Sequence, residues 1–127
     1  IGLINDLRTP SDDRINFNET LVENGLGVID QVNIYKYDKV YQIGHTPENN
    51  PYKKEIGVIA QEIQQIPELA QSVSVNEVPD NGVPMSVYYD QIHSYHIKAT
   101  QELHELVKTQ QTLIEELKTR IEVLEAN

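Results

Sequence analysis

The last third of the chain leaves the fold few choices. From Tyr89 to Asn127 there is neither proline nor glycine, so nothing in the backbone chemistry interrupts a helix. About 35 residues at 1.5 Å each give a rod on the order of 50 Å long. Along it Leu103, Gln110, Leu117 and Leu124 fall at heptad position d, and Val107, Ile114 and Ile121 fall at a. An apolar seam held in register over three heptads is the signature of helices that wind around one another. Leu106 and Leu113, at g, widen the seam in a way that suits three or more helices. β-branched residues at a with leucine at d are instead the usual dimer pairing, so the heptads alone leave strand number open. Gln110, the one polar layer, fixes register and strand number at some cost in stability.

His93 and His96 lie near the same seam at a and d, and His104 follows them on the helix. No ligand set of recognisable spacing accompanies them, so they read as seam or surface histidines, and no metal or cofactor is expected.

A chain of 127 residues is one domain's worth, and the seam helix removes part of that length from any globular core. Oligomerisation is expected to supply what the core lacks. The 20 acidic against 10 basic residues give a formal charge of -10, which repels phosphate backbones and anionic lipid surfaces. Neither nucleic acid nor membrane is therefore an expected partner. With no cysteine, disulfides and thiolate metal sites are ruled out. No apolar run approaches the roughly 18–20 residues of a membrane span. The lack of an initial methionine suggests a piece of a longer chain.

In chain order, Pro10 biases Thr9 toward an extended conformation, which predicts an exposed arm leading to Ser11. Apolar residues at 21, 22, 26, 28, 29 and 32 predict short helices broken at Asn24-Gly25. The aromatic and β-branched stretch from Asn33 to Ile43 reads as a strand. Glu55 to Ala60 reads as a second strand, paired with the first across the loop Gly44 to Pro51. Gln61 to Ile66 predicts one or two helical turns stopped at Pro67. Val73-Ser74-Val75 and Val83 to Tyr88 flank the turn signal Pro79-Asp80-Asn81-Gly82 and predict a second hairpin. The tyrosines Tyr35, Tyr37, Tyr41, Tyr88 and Tyr89 read as core or sheet-face residues. The expected class is α+β: a small antiparallel sheet with short helices, followed by the long helix. The divisions are an upstream segment 1–10, a globular part 11–88 and the coiled-coil helix 89–127.

Taken alone, Ser11-Asp12-Asp13 has the composition of a helix N-cap. Followed by Arg14 and then by Gly57-Val58-Ile59-Ala60-Gln61-Glu62, Pro67-Glu68, Val87-Tyr88-Tyr89-Asp90 and the heptad helix, it takes on another meaning. This pattern resembles that of the endosialidase-type intramolecular chaperones, the self-cleaving C-terminal domains of phage and viral tail spikes and fibres. The same module occurs in the myelin gene regulatory factor. The family motif is Ser-Asp-x-Arg-x-Lys, and its members cut their own chain just before that serine.

The resemblance implies a homotrimer whose partner is the upstream fibre or spike segment of the same chain, assembled in the host cytoplasm as a virion component. It also implies Ser11 as nucleophile and Pro10-Ser11 as the scissile bond. Asp12 and Arg14 would support the motif, and Gln61 and Glu62 would contact the cleavage site or a neighbouring subunit. One residue departs from the pattern: Asn16 stands where the family has its lysine base. An amide has no nitrogen of useful basicity, and loss of a general base costs about 10²–10⁴-fold in rate. The chain is therefore expected to cut itself slowly or not at all. A permanent trimerisation cap, or the regulatory domain of a membrane-tethered transcription factor, would share most of these features. The second of these would sit among basic and transmembrane sequences.

Overall fold

In the computed structural model, residues 8–74 and 82–127 are described. The element order is α1 (Gly25–Ile29), β1 (Tyr35–Val40), β2 (Tyr52–Gly57), α2 (Ala60–Gln64), a 3-10 turn (Ala70–Ser72), β3 (Val73–Ser74), β4 (Ser86–Val87) and α3 (Tyr89–Ala126). The class is α+β, as expected. The strands, however, form two separate antiparallel pairs, β1 with β2 and β3 with β4.

The first pair runs in unbroken register from Tyr35 opposite Gly57 to Val40 opposite Tyr52. β2 therefore lies three residues earlier than the expected strand from Glu55 to Ala60. Val58 leaves the ladder because its amide donates to the Tyr89 hydroxyl at 3.2 Å, and Ala60 already opens α2. Gly57 permits this crossing, since a Cβ there would sit 2.6 Å from the Tyr37 hydroxyl and 2.7 Å from that of Tyr89. The second hairpin pairs Val73 with Val87 and Ser74 with Ser86. Gly82 has φ +81°, a conformation glycine adopts freely. Val75 and the rest of the expected turn, Pro79-Asp80-Asn81, lie outside the described residues.

Of the short helices expected between Asn18 and Val32 only α1 forms, whereas the turns expected from Gln61 form as α2. Asn18 and Asn24 take left-handed φ values of 58° and 56°, which asparagine tolerates and which stop a helix from running through them. Leu21 is 88% exposed; an isolated turn with no surface to pack against does not hold. Of the tyrosines expected in the core or on a sheet face, Tyr35 and Tyr37 lie on β1, Tyr37 half-buried, and none is a core residue: Tyr35, Tyr41, Tyr88 and Tyr89 are exposed.

The core is small. Val28, Val58, Ile63, Ile66, Leu69 and Val73 form one buried cluster, with Ile92 and Tyr95 of α3 packed against it. The first turns of α3 thus belong to the globular part. α1 sits on α3 at very short range, because a Cβ on Gly25 would lie 2.8 Å from the Ala99 amide nitrogen. Glu102 completes this joint by accepting from the Leu26 amide at 2.7 Å. Beyond Glu102 every residue of α3 is exposed. With 38 residues, the helix is about 57 Å long, and its lower half stands clear of its own domain.

Candidate functional site

The segment after Pro10 folds into a tight turn built from its own polar groups. The Asp12 carboxylate accepts from the Arg14 backbone amide at 2.8 Å, from its Nε at 2.9 Å and from its Nη2 at 2.7 Å. The Ile15 amide donates to the Asp12 carbonyl at 2.9 Å. A carboxylate that takes both a backbone amide and a guanidinium two residues on is an Asx turn reinforced by an ion pair. The Arg14 side chain, followed by its backbone amide, holds the Asp12 carboxyl below its ordinary range, and the same bond raises Arg14. The charges of Asp12 and Arg14 are therefore locked in opposite sign across the turn.

The consequence reaches both ends of the motif. The Asn16 side-chain amide nitrogen lies 3.3 Å from Ser11 Oγ and donates to it, so the turn brings residues five apart into hydrogen-bond contact. For a serine to attack a carbonyl, its neighbour has to take the hydroxyl proton. Asn16 points a donor at the oxygen instead, and its own carbonyl, if turned inward, is no base either. The turn thus places the serine hydroxyl beside position 16, with Asn16 as the donor in that contact.

The sequence of the turn belongs to a wider family. The family model described as chaperone of endosialidase matches residues 11–74, half of the chain, beginning at Ser11 and ending with β3. The chain belongs to the endosialidase-chaperone family. No curated protein matches it. The family's role is that of a chaperone, and the matched stretch contains the turn, both strands of the first hairpin, and α2. The seam helix follows outside it.

Gln61 and Glu62 lie in the first turn of α2, but Glu62 faces the start of β1. It accepts from the Tyr35 hydroxyl at 2.9 Å and from the Asn33 side-chain amide at 3.2 Å. This carboxylate, by its hydrogen bond, holds the Tyr35 phenol above its usual value. Gln61 is exposed. Among the described residues no hydrogen bond joins either of them to Ser11 or Asn16. Two lysines that could otherwise stand in for the missing base are engaged elsewhere, Lys53 with Glu55 at 3.3 Å and Lys54 with Asp38 at 3.2 Å. No bond links Lys36 or His45 to the serine among the described residues.

The seam residues share one condition. Leu103, Val107, Ile114, Leu117, Ile121 and Leu124 are between 51% and 72% exposed, and Gln110 lies exposed among them. Glu102, which joins α3 to α1, had no sequence signal: it sits off the seam among other acids, and its partner is a backbone amide 76 residues away. No helix among the described residues is long and apolar enough to cross a membrane.

Proposed function

We propose that the chain is a homotrimeric intramolecular chaperone, with α3 holding three upstream chains in register while they wind into a fibre or spike. The observation that carries this reading is the seam. Six large apolar side chains on one line of α3 stand half or more exposed, and leaving them in water forgoes roughly 25 cal/mol for each Å² that a partner helix would cover. Identical helices bury such a line against one another, and the wide face supplied by Leu106 and Leu113 fits three better than two. Trimerising first raises the effective concentration of upstream segments whose own pairing is slow and long-range. The family's role supports the same assignment.

In the family's usual course the domain would be released by a cut at Pro10-Ser11, making assembly irreversible and the product kinetically stable. In this chain the Asn16 amide on Ser11 Oγ favours an uncut form, a permanent trimerisation cap. Asn16→Lys is the test. Intact mass of both chains, incubated at equal concentration, is expected to show loss of residues 1–10 only in the lysine version, with Ser11→Ala in the same background blocking it. Two trimeric chains that both stay whole would remove the protease reading and leave the cap. A chain that sediments as a monomer would remove both.

A further inference from the structure

The upper end of α3 carries two side chains for which the assembly described above gives no use. Counting up the heptads from Leu103, His96 takes position d and His93 takes position a. They lie roughly 120° around the helix from the face that Tyr95, Ala99 and Glu102 turn toward α1, given 3.6 residues per turn. Both imidazoles are exposed, and no described residue bonds to either. They stand at the lip of an open apolar groove of about 570 Å³ whose floor includes Ile29, Val32, Val58 and Ile92. A neighbouring copy's helix laid on the a/d line would close this groove and bring its own His93 and His96 to the same axis.

We propose that the assembled trimer binds a divalent transition-metal ion on its axis, one ion per three chains, through the three copies of His96, with the His93 layer flanking it. This rests on the trimeric reading. In a three-stranded coil each a or d layer gathers three equivalent side chains around the axis. His96 shares its d position with Leu103 one heptad below, and the a position between them is Thr100, exposed like both histidines, so the apolar seam below carries the same line up to the imidazoles. Three imidazole nitrogens at about 2.0–2.1 Å, with a fourth position open to water, form a known ligand set for zinc and its neighbours.

The ligands are nitrogens, and Asp90, the nearest acid in the groove, lies at the flanking e position. Calcium and magnesium, which want oxygen, are therefore poor fits. The His93 layer is only about 4.5 Å up the axis, a separation at which a second unbridged dication is strongly repelled. No single protomer has this site: among the described residues no three potential ligands of one chain come together. An ion bound only by the trimer stabilises it by mass action, which makes assembly responsive to metal.

The test uses the 127-residue chain, with sedimentation equilibrium to fix its state and titration with zinc chloride to count sites. One ion per three chains is expected, with thermal stability rising in zinc and unchanged in magnesium. His96→Leu should stay trimeric and bind zinc at least tenfold more weakly, while His104→Ala should bind as the parent does. If His96→Leu misfolds, cobalt(II) added to the parent chain gives a separate readout, since the visible bands of a nitrogen-ligated four-coordinate ion should appear at the same stoichiometry. A trimer that binds no zinc, that binds one ion per chain, or whose His96→Leu variant binds normally would overturn the site and leave the trimer standing. A chain that sediments as a monomer would overturn the trimer, and the site with it.

Discussion

At the scale of single residues, Glu55 gathers more charge than any other carboxylate described. On the first hairpin it pairs with Lys39 and Lys53 and accepts from the Tyr37 hydroxyl at 2.8 Å. Lys39, then Tyr37, hold its carboxyl down at about 2 against an ordinary 4.5, and the same carboxylate pushes the Tyr37 phenol up from 10 to about 12. The signs follow from linkage. A depressed carboxyl favours the folded chain above pH 4.5, and that contribution drains away as pH falls toward 2. A raised phenol favours it below pH 10, with loss as pH climbs through 12. Thermal melts from pH 5 down to 2 should therefore show falling stability, with a shallower slope in Glu55→Gln. Tyr37→Phe should blunt the alkaline loss between pH 10 and 12. Glu102, held low chiefly by the Leu26 amide, adds to the acid slope, so Glu55→Gln should reduce that slope without abolishing it.

At the scale of elements, none of the short pieces would hold alone. α2 has five residues, far below the length at which an isolated helix is stable in water. It persists because Ile63, Ile66 and Leu69 recur every third position and enter one cluster with Val28 and Val58. Leu69 is fully buried, so Leu69→Ala should cost about 2–5 kcal/mol, the range for an aliphatic side chain deleted from a packed core. Denaturant melts at fixed protein concentration would measure it. A loss well under 1 kcal/mol would mean that seam assembly, and not this cluster, sets the stability of the globular part.

At the scale of the whole molecule, a small core and a long uncovered helix divide the work. The globular part fixes the first turns of α3 through Gly25, Ala99 and Glu102, and the remainder of the helix is exposed, the part that the proposed trimer would cover. From Leu103 onward Gln110 is the one polar residue on the seam. Gln110→Leu should raise the thermal stability of the assembly while loosening its strand number, seen as more than one species in sedimentation, because a buried polar layer trades stability for register. A variant that stays a single species of unchanged stability would show that Gln110 is not a seam residue.

The long helix, the hairpin that joins β1 to β2, and the closeness of Ser11 to Asn16 were legible in the sequence, because each depends on neighbours a few residues apart. Periodicity, turn chemistry and the absence of proline and glycine act at that range. What depends on packing was not legible. The stretch from Asn18 to Asn24 lost its expected helix for want of a surface to bury Leu21. The expected strand through Ala60 ended at Gly57 because Tyr89, 31 residues further on at the start of α3, took the next amide. Glu62 turned to Tyr35 and Asn33, with no bond to Ser11, and Glu102 found a backbone partner that no heptad position foretells. Local spacing determines which elements can form and where a motif closes on itself. Only the packed structure decides which of those elements find a surface and which polar groups find a partner, because both depend on contacts between residues far apart in the chain.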